Sequence, residues 1–431
     1  MPKILWLGDA GATTGFARVA HAVGDRLVRD HGHEVHTLAV NFDGDAGKWN
    51  TAMKLYLPTR NDPKDIYGTR RFVEMLADLM PEVVVMLNDP FVILKHLFRN
   101  RWDEQLALVR SRPIIGYIPV DGTNQPSSWS KIPELVQLAA PLPGGTGRRF
   151  IPLAMTKYGQ QFLDTPHLAY HGVETDKFRP VSDKDPVTLP DGRVIASKGD
   201  AKEAFGFERD DFLVVRVDRN SHRKNFADTW RALVPVMKRH KNVKAWFHCK
   251  AEGDQLELPH LLSRDEETAS RFFYPGQFST KQGWPEEALI ALYNAADAFV
   301  STSWGEGFGL TLGEAAACQV PIVAQNVSSI PEVVGPGGIL LEPQRLIAVE
   351  SGQDQWLPDV PAFTDAIERL YMSKGLRRSL GEAGRQHVVS SFNWDETARV
   401  ISELVTSVAQ ETPESLALDL TGEPDAEPVP A

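Results

Sequence analysis

The stretch Ser301-Thr302-Ser303-Trp304-Gly305-Glu306-Gly307-Phe308-Gly309-Leu310-Thr311-Leu312-Gly313-Glu314-Ala315-Ala316-Ala317-Cys318, followed by Pro321-Ile322-Val323-Ala324, decides the fold. It reads as a loop that runs into a helix and then into a short apolar strand, with Glu306 in the loop and Glu314 inside the helix. Gly307 and Gly309 leave backbone N–H groups at the helix N-terminus, where the positive end of the dipole favours a phosphate. A carboxylate accepts two hydroxyl hydrogen bonds, so two glutamates flanking an anion-binding turn can grip a hexose and a ribose. A solvent-exposed helix with a capping glutamate explains Glu314 alone, but not the cluster of glycines and glutamates.

Outward from this stretch, short apolar runs alternate with segments of helical spacing. Ile4 to Leu7, Val35 to Val40, Val83 to Leu87, Ile114 to Val120, Phe212 to Val217, Val243 to Phe247, Ala298 to Val300 and Pro321 to Ala324 read as strands. Ala17 to Asp30 and Arg71 to Met80 read as helices between them. Strand and helix in repeated order predict α/β architecture with parallel sheets covered on both faces. Turn formers and charges concentrate from Phe178 to Ala201, so the chain divides into two Rossmann-like halves facing across a cleft. The expected division is 1-178, 179-391, a helical segment 392-410 crossing back to the first half, and a disordered acidic tail 411-431.

Composition narrows the function. The 431 residues carry 46 Lys plus Arg against 57 Asp plus Glu, a formal net charge of −11. Six of the acidic residues (Glu411, Glu414, Asp419, Glu423, Asp425, Glu427) lie in the tail, so the body is less acidic than the total implies. This balance argues against stable nucleic-acid binding. Cys249 and Cys318 are far apart, without zinc spacing, and predict core thiols in a reducing compartment. With no signal peptide and no apolar run of transmembrane length, the expected location is cytoplasmic, without a membrane span.

Several motifs are weaker. Gly8-Asp9-Ala10-Gly11-Ala12-Thr13-Thr14-Gly15 follows the first strand but is neither GxGxxG nor a P-loop; Gly11, Thr14 and Gly15 are candidates for an acceptor or phosphate loop. His33-Glu34-Val35-His36 has its histidines three apart and reads as structural, and Asp43-Gly44-Asp45 as a turn, so no metal site is expected. Lys95 to Trp102 reads as a solvated helix face, and no Gly-x-Ser-x-Gly elbow appears. The cluster Arg216-Val217-Asp218-Arg219-Asn220-Ser221-His222-Arg223-Lys224-Asn225 sits at a strand's C-terminal end. There a guanidinium and an ammonium can neutralise a departing diphosphate.

Together these residues resemble the retaining GT-B glycosyltransferases of family 4. Glu306 to Glu314 is an E-x7-E element, Arg219 and Lys224 resemble the family's Arg and Lys pair, and His171 to Pro180 resembles the start of its linker. Gly32 to Val35 and Phe392-Asn393-Trp394 are also similar, so the resemblance extends to about residue 405. It implies a hexosyltransferase-like enzyme that requires no metal or other cofactor and takes a UDP- or GDP-type nucleotide sugar as donor. The donor would lie mainly on the second half and the acceptor mainly on the first. By this resemblance Arg219 and Lys224 bind the diphosphate, Glu306 contacts sugar hydroxyls, Glu314 the ribose, Gly307, Phe308, Gly309 and Leu310 the sugar and phosphate, and Gln277 and Phe278 the base.

Two departures fall on the acceptor side. Asp121, in Tyr117-Ile118-Pro119-Val120-Asp121-Gly122-Thr123, stands where many relatives place a histidine, and is the substitute candidate for a catalytic role. His171 stands where an Asn is common. The acceptor class stays open among small molecule, lipid, protein side chain and modified nucleobase. The alternatives are a nucleotide-sugar epimerase, an inverting GT-B enzyme, or an inactive nucleotide-sugar-binding scaffold.

Overall fold

A computed structural model describes residues 1–44, 50–58, 65–98, 112–126, 150–252, 255–276 and 283–410. Asp45, Gln277, Phe278, the stretch from Arg99 to Trp102 and the acidic segment from Glu411 lie outside the described residues.

The first half is a six-stranded parallel sheet of β1 (Lys3–Asp9), β2 (Glu34–Val40), β3 (Lys54–Tyr56), β4 (Val83–Leu87), β5 (Ile114–Ile118) and β6 (Phe150–Ala154), in the order β3-β2-β1-β4-β5-β6. A short hairpin of β7 (Val187–Thr188) and β8 (Val194–Ile195) follows, in the stretch that the sequence marks as rich in turn formers. The second half repeats the first order with β9 (Phe212–Val217), β10 (Val243–His248), β11 (Phe272–Phe273), β12 (Ala298–Ser301), β13 (Ile322–Gln325) and β14 (Gly338–Leu341), as β11-β10-β9-β12-β13-β14. Strands such as Val83 to Leu87 and Phe212 to Val217 are buried at every position, which is why they read as continuous apolar runs without alternation. In both sheets the strand order reverses beside the first strand, and the C-terminal strand ends at that switch point are where this architecture places ligands.

Local chemistry sets the elements around these points. The helix Gly15–Arg29 starts where the Thr14 hydroxyl accepts from the Ala17 N–H, and buries Ala17, Ala20, Val23 and Leu27 against the sheet. Such a cap contributes about 1 kcal/mol. Arg26 and Arg29 in its last turn oppose the negative end of the dipole.

The helix Trp394–Gln410 returns to the first half and packs on Gly15–Arg29. Arg26 Nε pairs with Asp395 Oδ1 at 2.6 Å, and His33 Nε2 meets Ser402 Oγ at 2.8 Å. His36 meets Tyr56 Oη at 2.8 Å and Glu34 Oε1 at 2.9 Å, so both histidines of the His33–His36 stretch serve packing. Both cysteines are buried. Among the described residues no helix is long and apolar enough to cross a membrane, and no group of three or more His, Cys, Asp or Glu could hold a metal ion.

The halves meet through an aromatic joint. His171 lies between Tyr117 (ring centroids 5.3 Å apart), Phe308 (4.9 Å) and Trp394 (5.9 Å), and burial pushes its imidazole down to about 3, so the ring is neutral. Gly172 beside it has no room for a side chain: a Cβ would fall 2.3 Å from the Trp394 nitrogen. Gly172→Ala is therefore expected to cost about 1–3 kcal/mol through overpacking. Urea unfolding of wild type and variant checks this, and equal midpoints would show that the joint yields freely.

Candidate active site

The loop after β12 turns back over the second sheet and carries Glu306 to the switch point. Glu306 N donates to Ser328 Oγ at 2.9 Å, and Ser329 Oγ donates to the Glu306 carbonyl at 2.7 Å. Glu306 is 5% exposed, and its carboxylate is gripped by Lys224 Nζ at 2.7 and 2.9 Å and by Arg223 Nη1 at 3.2 Å. Burial alone would raise this carboxyl; the attraction of Lys224 and Arg223 overrides it and holds the group down at about 2.

The two cations rest on a deeper layer. Lys224 Nζ also pairs with Asp218 Oδ1 at 2.6 Å, and Asp218 Oδ2 accepts from Arg216, which is wholly buried and bonded to Thr302 Oγ1 at 2.8 Å and to the Lys224 carbonyl. On the other side Arg223 Nε pairs with Asp121 Oδ2 at 3.1 Å, and Arg223 Nη1 donates to the Gly305 carbonyl. Arg216, Asp218, Lys224, Glu306, Arg223 and Asp121 thus form one series of alternating charge, from β9 of the second sheet to the segment just after β5 in the first.

Glu314 holds a second contact across the halves. The residue is 4% exposed, and its carboxylate pairs with Arg18 of the helix Gly15–Arg29 and accepts from Tyr293 Oη at 2.9 Å. Burial raises the Glu314 carboxyl in spite of both partners.

The remaining sequence-predicted residues are placed as follows. Arg219 is exposed and makes no ion pair among the described residues; Arg223, which the sequence reading did not single out, stands beside Lys224 on Glu306 instead. Gly309 takes φ +97° at the start of the helix Leu310–Ala317. Gly307 makes room for the first half, since a Cβ there would lie 2.6 Å from Pro119 Cβ, and Gly305 does the same for the Asp121 carbonyl. The Phe308 side chain is buried in the joint with His171 and Phe392, and Leu310 faces Gly15.

The loop with Gly11 and Thr14 is built inward around Asp9. The Asp9 carboxylate accepts from Gly11 N and Ala12 N at 3.2 Å, from Thr14 Oγ1 at 2.6 Å and from Asn41 Nδ2 at 3.2 Å. Gly11 is glycine because the backbone of Asn41 and Phe42 occupies the place of a Cβ.

Sequence reasoning also missed Arg18 and Asp89. Arg18 lies one turn into the helix that follows the glycine loop, and Asp89 is the second residue after β4; position after a strand at the switch point was the available signal. Burial and nearby Asp121 push the Asp89 carboxyl up to about 6, with Arg223 opposing.

Comparison with known proteins accords with this geometry. Residues 211–373, which include both the Arg223–Lys224 loop and the Glu306–Glu314 element, match the family model of Glycosyl transferases group 1. The chain is 38% identical over 107 residues to O-antigen chain mannosyltransferase B of Escherichia coli, covering 23% of this chain and 27% of that one. It is 28% identical over 255 residues to the lipopolysaccharide core biosynthesis mannosyltransferase LpsB of Rhizobium meliloti, covering 57% and 62%. The aligned stretches are thus less than two thirds of either relative. The crystal structure of Anabaena HepE in complex with UDP-glucose superposes with a TM-score of 0.64 at 16% identity, covering 94% of this chain and all of that one. The fold is GT-B, two parallel-sheet α/β halves.

The depressed Glu306 carboxyl fixes a sign for acid stability. A group held at about 2 when folded and near its ordinary value of about 4.5 when unfolded contributes stability that is complete above the higher value. That contribution is lost as pH falls through the interval between the two. Glu306→Gln is expected to lose less stability than wild type between about pH 6 and pH 3. Guanidinium unfolding at both pH values checks this; identical losses would show that the carboxylate is not held by its cations.

Proposed function

We propose that this chain is a retaining glycosyltransferase that moves a sugar from a UDP- or GDP-type nucleotide sugar to a hydroxyl of an acceptor. The donor lies on the second half and the acceptor on the first. The observation that carries this reading is the buried Glu306 carboxylate, clamped by Lys224 and Arg223 at one switch point and facing the end of β5 across the cleft. The family match over these residues, the names of the mannosyltransferase relatives and the UDP-glucose complex of HepE support it.

The charge count says what the donor needs. Three cations and three anions already balance in the series from Arg216 to Asp121. A diphosphate brings further negative charge, which calls for donors not yet paired. Exposed Arg219 and the N-terminal N–H groups of the helix Leu310–Ala317 are suited to supply them, with Lys224 turning part of its charge from Glu306 to phosphate. Glu314 exchanges Arg18 for the ribose hydroxyls.

In the reaction, the bond between the anomeric carbon and the phosphate oxygen breaks with its electron pair going to the diphosphate. The acceptor oxygen bonds to the same carbon from the same face, and its proton passes to the departing phosphate oxygen. Glu306 stabilises the sugar by hydrogen bonds and does not attack it. Lys224 and Arg219 stabilise the charge that develops on the diphosphate, an effect of about 3–4 kcal/mol for one such group. Asp121, paired with Arg223, borders the acceptor.

Thermal unfolding across nucleoside diphosphates and nucleotide sugars tests the donor, because a ligand at a hundred times its Kd adds about 2.7 kcal/mol. One base is expected to stabilise the chain selectively, and Lys224→Ala to abolish the shift. With that donor, Glu306→Ala and Lys224→Ala are each expected to lower turnover by about a hundredfold or more with the fold retained. Wild-type turnover in both variants, or no stabilisation by any nucleotide, would overturn the reading.

A further inference from the structure

The second half sends a hairpin across the cleft. After β14 the chain forms β15 (Pro343–Ala348) and β16 (Asp354–Pro358), an antiparallel pair outside both main sheets. At its base Trp356 N donates to the Trp304 carbonyl, and Gln325 Nε2 to the Trp356 carbonyl, both at 3.1 Å. At its tip Thr123 and Asp354 exchange backbone hydrogen bonds of 2.8 Å each way, and Asn124 Nδ2 donates to Asp354 Oδ2 at 2.7 Å. Gly122 must be glycine here, since a Cβ would lie 2.7 Å from the Asp354 carbonyl oxygen.

This strap delivers Gln353 to Asp121. Gln353 is 6% exposed; its Nε2 donates to Asp121 Oδ1 at 3.3 Å, and its Oε1 has no partner. Gln125 Oε1 is likewise buried and unpartnered, while its Nε2 donates to the Gly122 carbonyl at 3.2 Å. At the end of the adjacent strand β4, Asn88 is 7% exposed and its Nδ2 has no partner. Leu87 and Tyr117 are in register, so Asn88 and Asp89 leave the sheet beside the segment that leads to Asp121. Buried amides are nearly always satisfied, and each orphan calls for a reason.

The unused groups are two amide oxygens and one amide N–H; beside them stand the Asp89 carboxyl and the Asp121 carboxylate, the latter already paired with Arg223 and Gln353. They border the charged series that ends on Glu306 through Arg223. A hydroxyl both donates and accepts, so several hydroxyls on one rigid molecule can answer oxygens and N–H together. A long-chain alcohol offers one hydroxyl and would leave the others unpaired.

We infer that Asn88, Asp89 and Asp121 of the first half and Gln353 of the hairpin form the acceptor pocket, and that it selects a hydroxyl-rich acceptor, a sugar or polyol. The inference rests on the transferase reading above. Its novel element is that a strap from the donor half supplies part of acceptor recognition. The upward shift of the Asp89 carboxyl, from burial and then from Asp121, is in keeping with two half-buried acids close to one another.

The test uses the full chain and the nucleotide sugar that stabilises it. Release of nucleoside diphosphate is followed with mannose, glucose and myo-inositol, and with decanol as the single-hydroxyl arm. At least one polyol is expected to accelerate release, and Gln353→Leu to raise its KM about tenfold or more, the usual effect of losing a buried hydrogen bond. Asn88→Ala, on the opposite half, is expected to do the same. Stabilisation by the nucleoside diphosphate alone should match wild type in both, which also shows that both are folded. No acceleration by any polyol, or an unchanged KM in both variants, overturns the inference. A wild-type chain that no nucleotide stabilises overturns the transferase reading on which it stands.

Discussion

A carboxylate buried between two cations is the constraint on which the site depends. Glu306 loses nearly all its water, and it is chiefly Lys224 and Arg223 that keep it charged. Lys224 in turn needs Asp218, and Asp218 needs Arg216, the largest charged side chain wholly out of solvent. Removing one member of such a set leaves another charge buried without compensation, a cost of about 3–5 kcal/mol. The series therefore fixes several positions at once. The ends of β9 and β12 must stay in register, and the loop between Ser301 and Gly309 must return over them. Asp121 must also come up from the other half to meet Arg223.

That last requirement explains the glycines. The sequence suggests that Gly307 frees N–H groups for an anion, but Gly305 and Gly307 are also needed because backbone and proline of the first half press into the space of their Cβ atoms. The halves touch at Arg18 with Glu314, Asp121 with Arg223, and Thr123 with Asp354. Glu332 adds a fourth contact by accepting the Lys157 and Tyr158 N–H groups at the start of the helix Lys157–Leu163. Apolar contact through His171, Phe308 and Trp394 binds the joint, and polar pairs set its register.

The two sheets were legible because parallel strands buried on both faces are written as uninterrupted apolar runs, as in Val83 to Leu87. The E-x7-E spacing was legible because loop and helix fall in one continuous segment. Arg223 was not distinguishable from Arg219: both lie in one basic loop, and only the tight turn His222–Lys224 aims one of them at Glu306. Arg18 and Glu314 are 296 residues apart, a pairing to which local spacing is blind. The strap carried a signal that went unread. Leu346 to Val349 and Trp356-Leu357 are apolar runs flanking Glu350-Ser351-Gly352, the pattern of a hairpin.

Arg223 makes the two sides of the cleft one electrostatic unit. Its guanidinium touches Glu306 of the second half and Asp121 of the first, and burial, which would lower its affinity for the proton, is overcome by those two carboxylates. Asp121 is in turn tied through Gln353 to the hairpin rooted at Trp304, two residues before Glu306 itself. The path leaves the loop that carries Glu306, crosses the cleft and returns to the same loop. The two sides of the cleft are therefore joined by one continuous set of direct contacts.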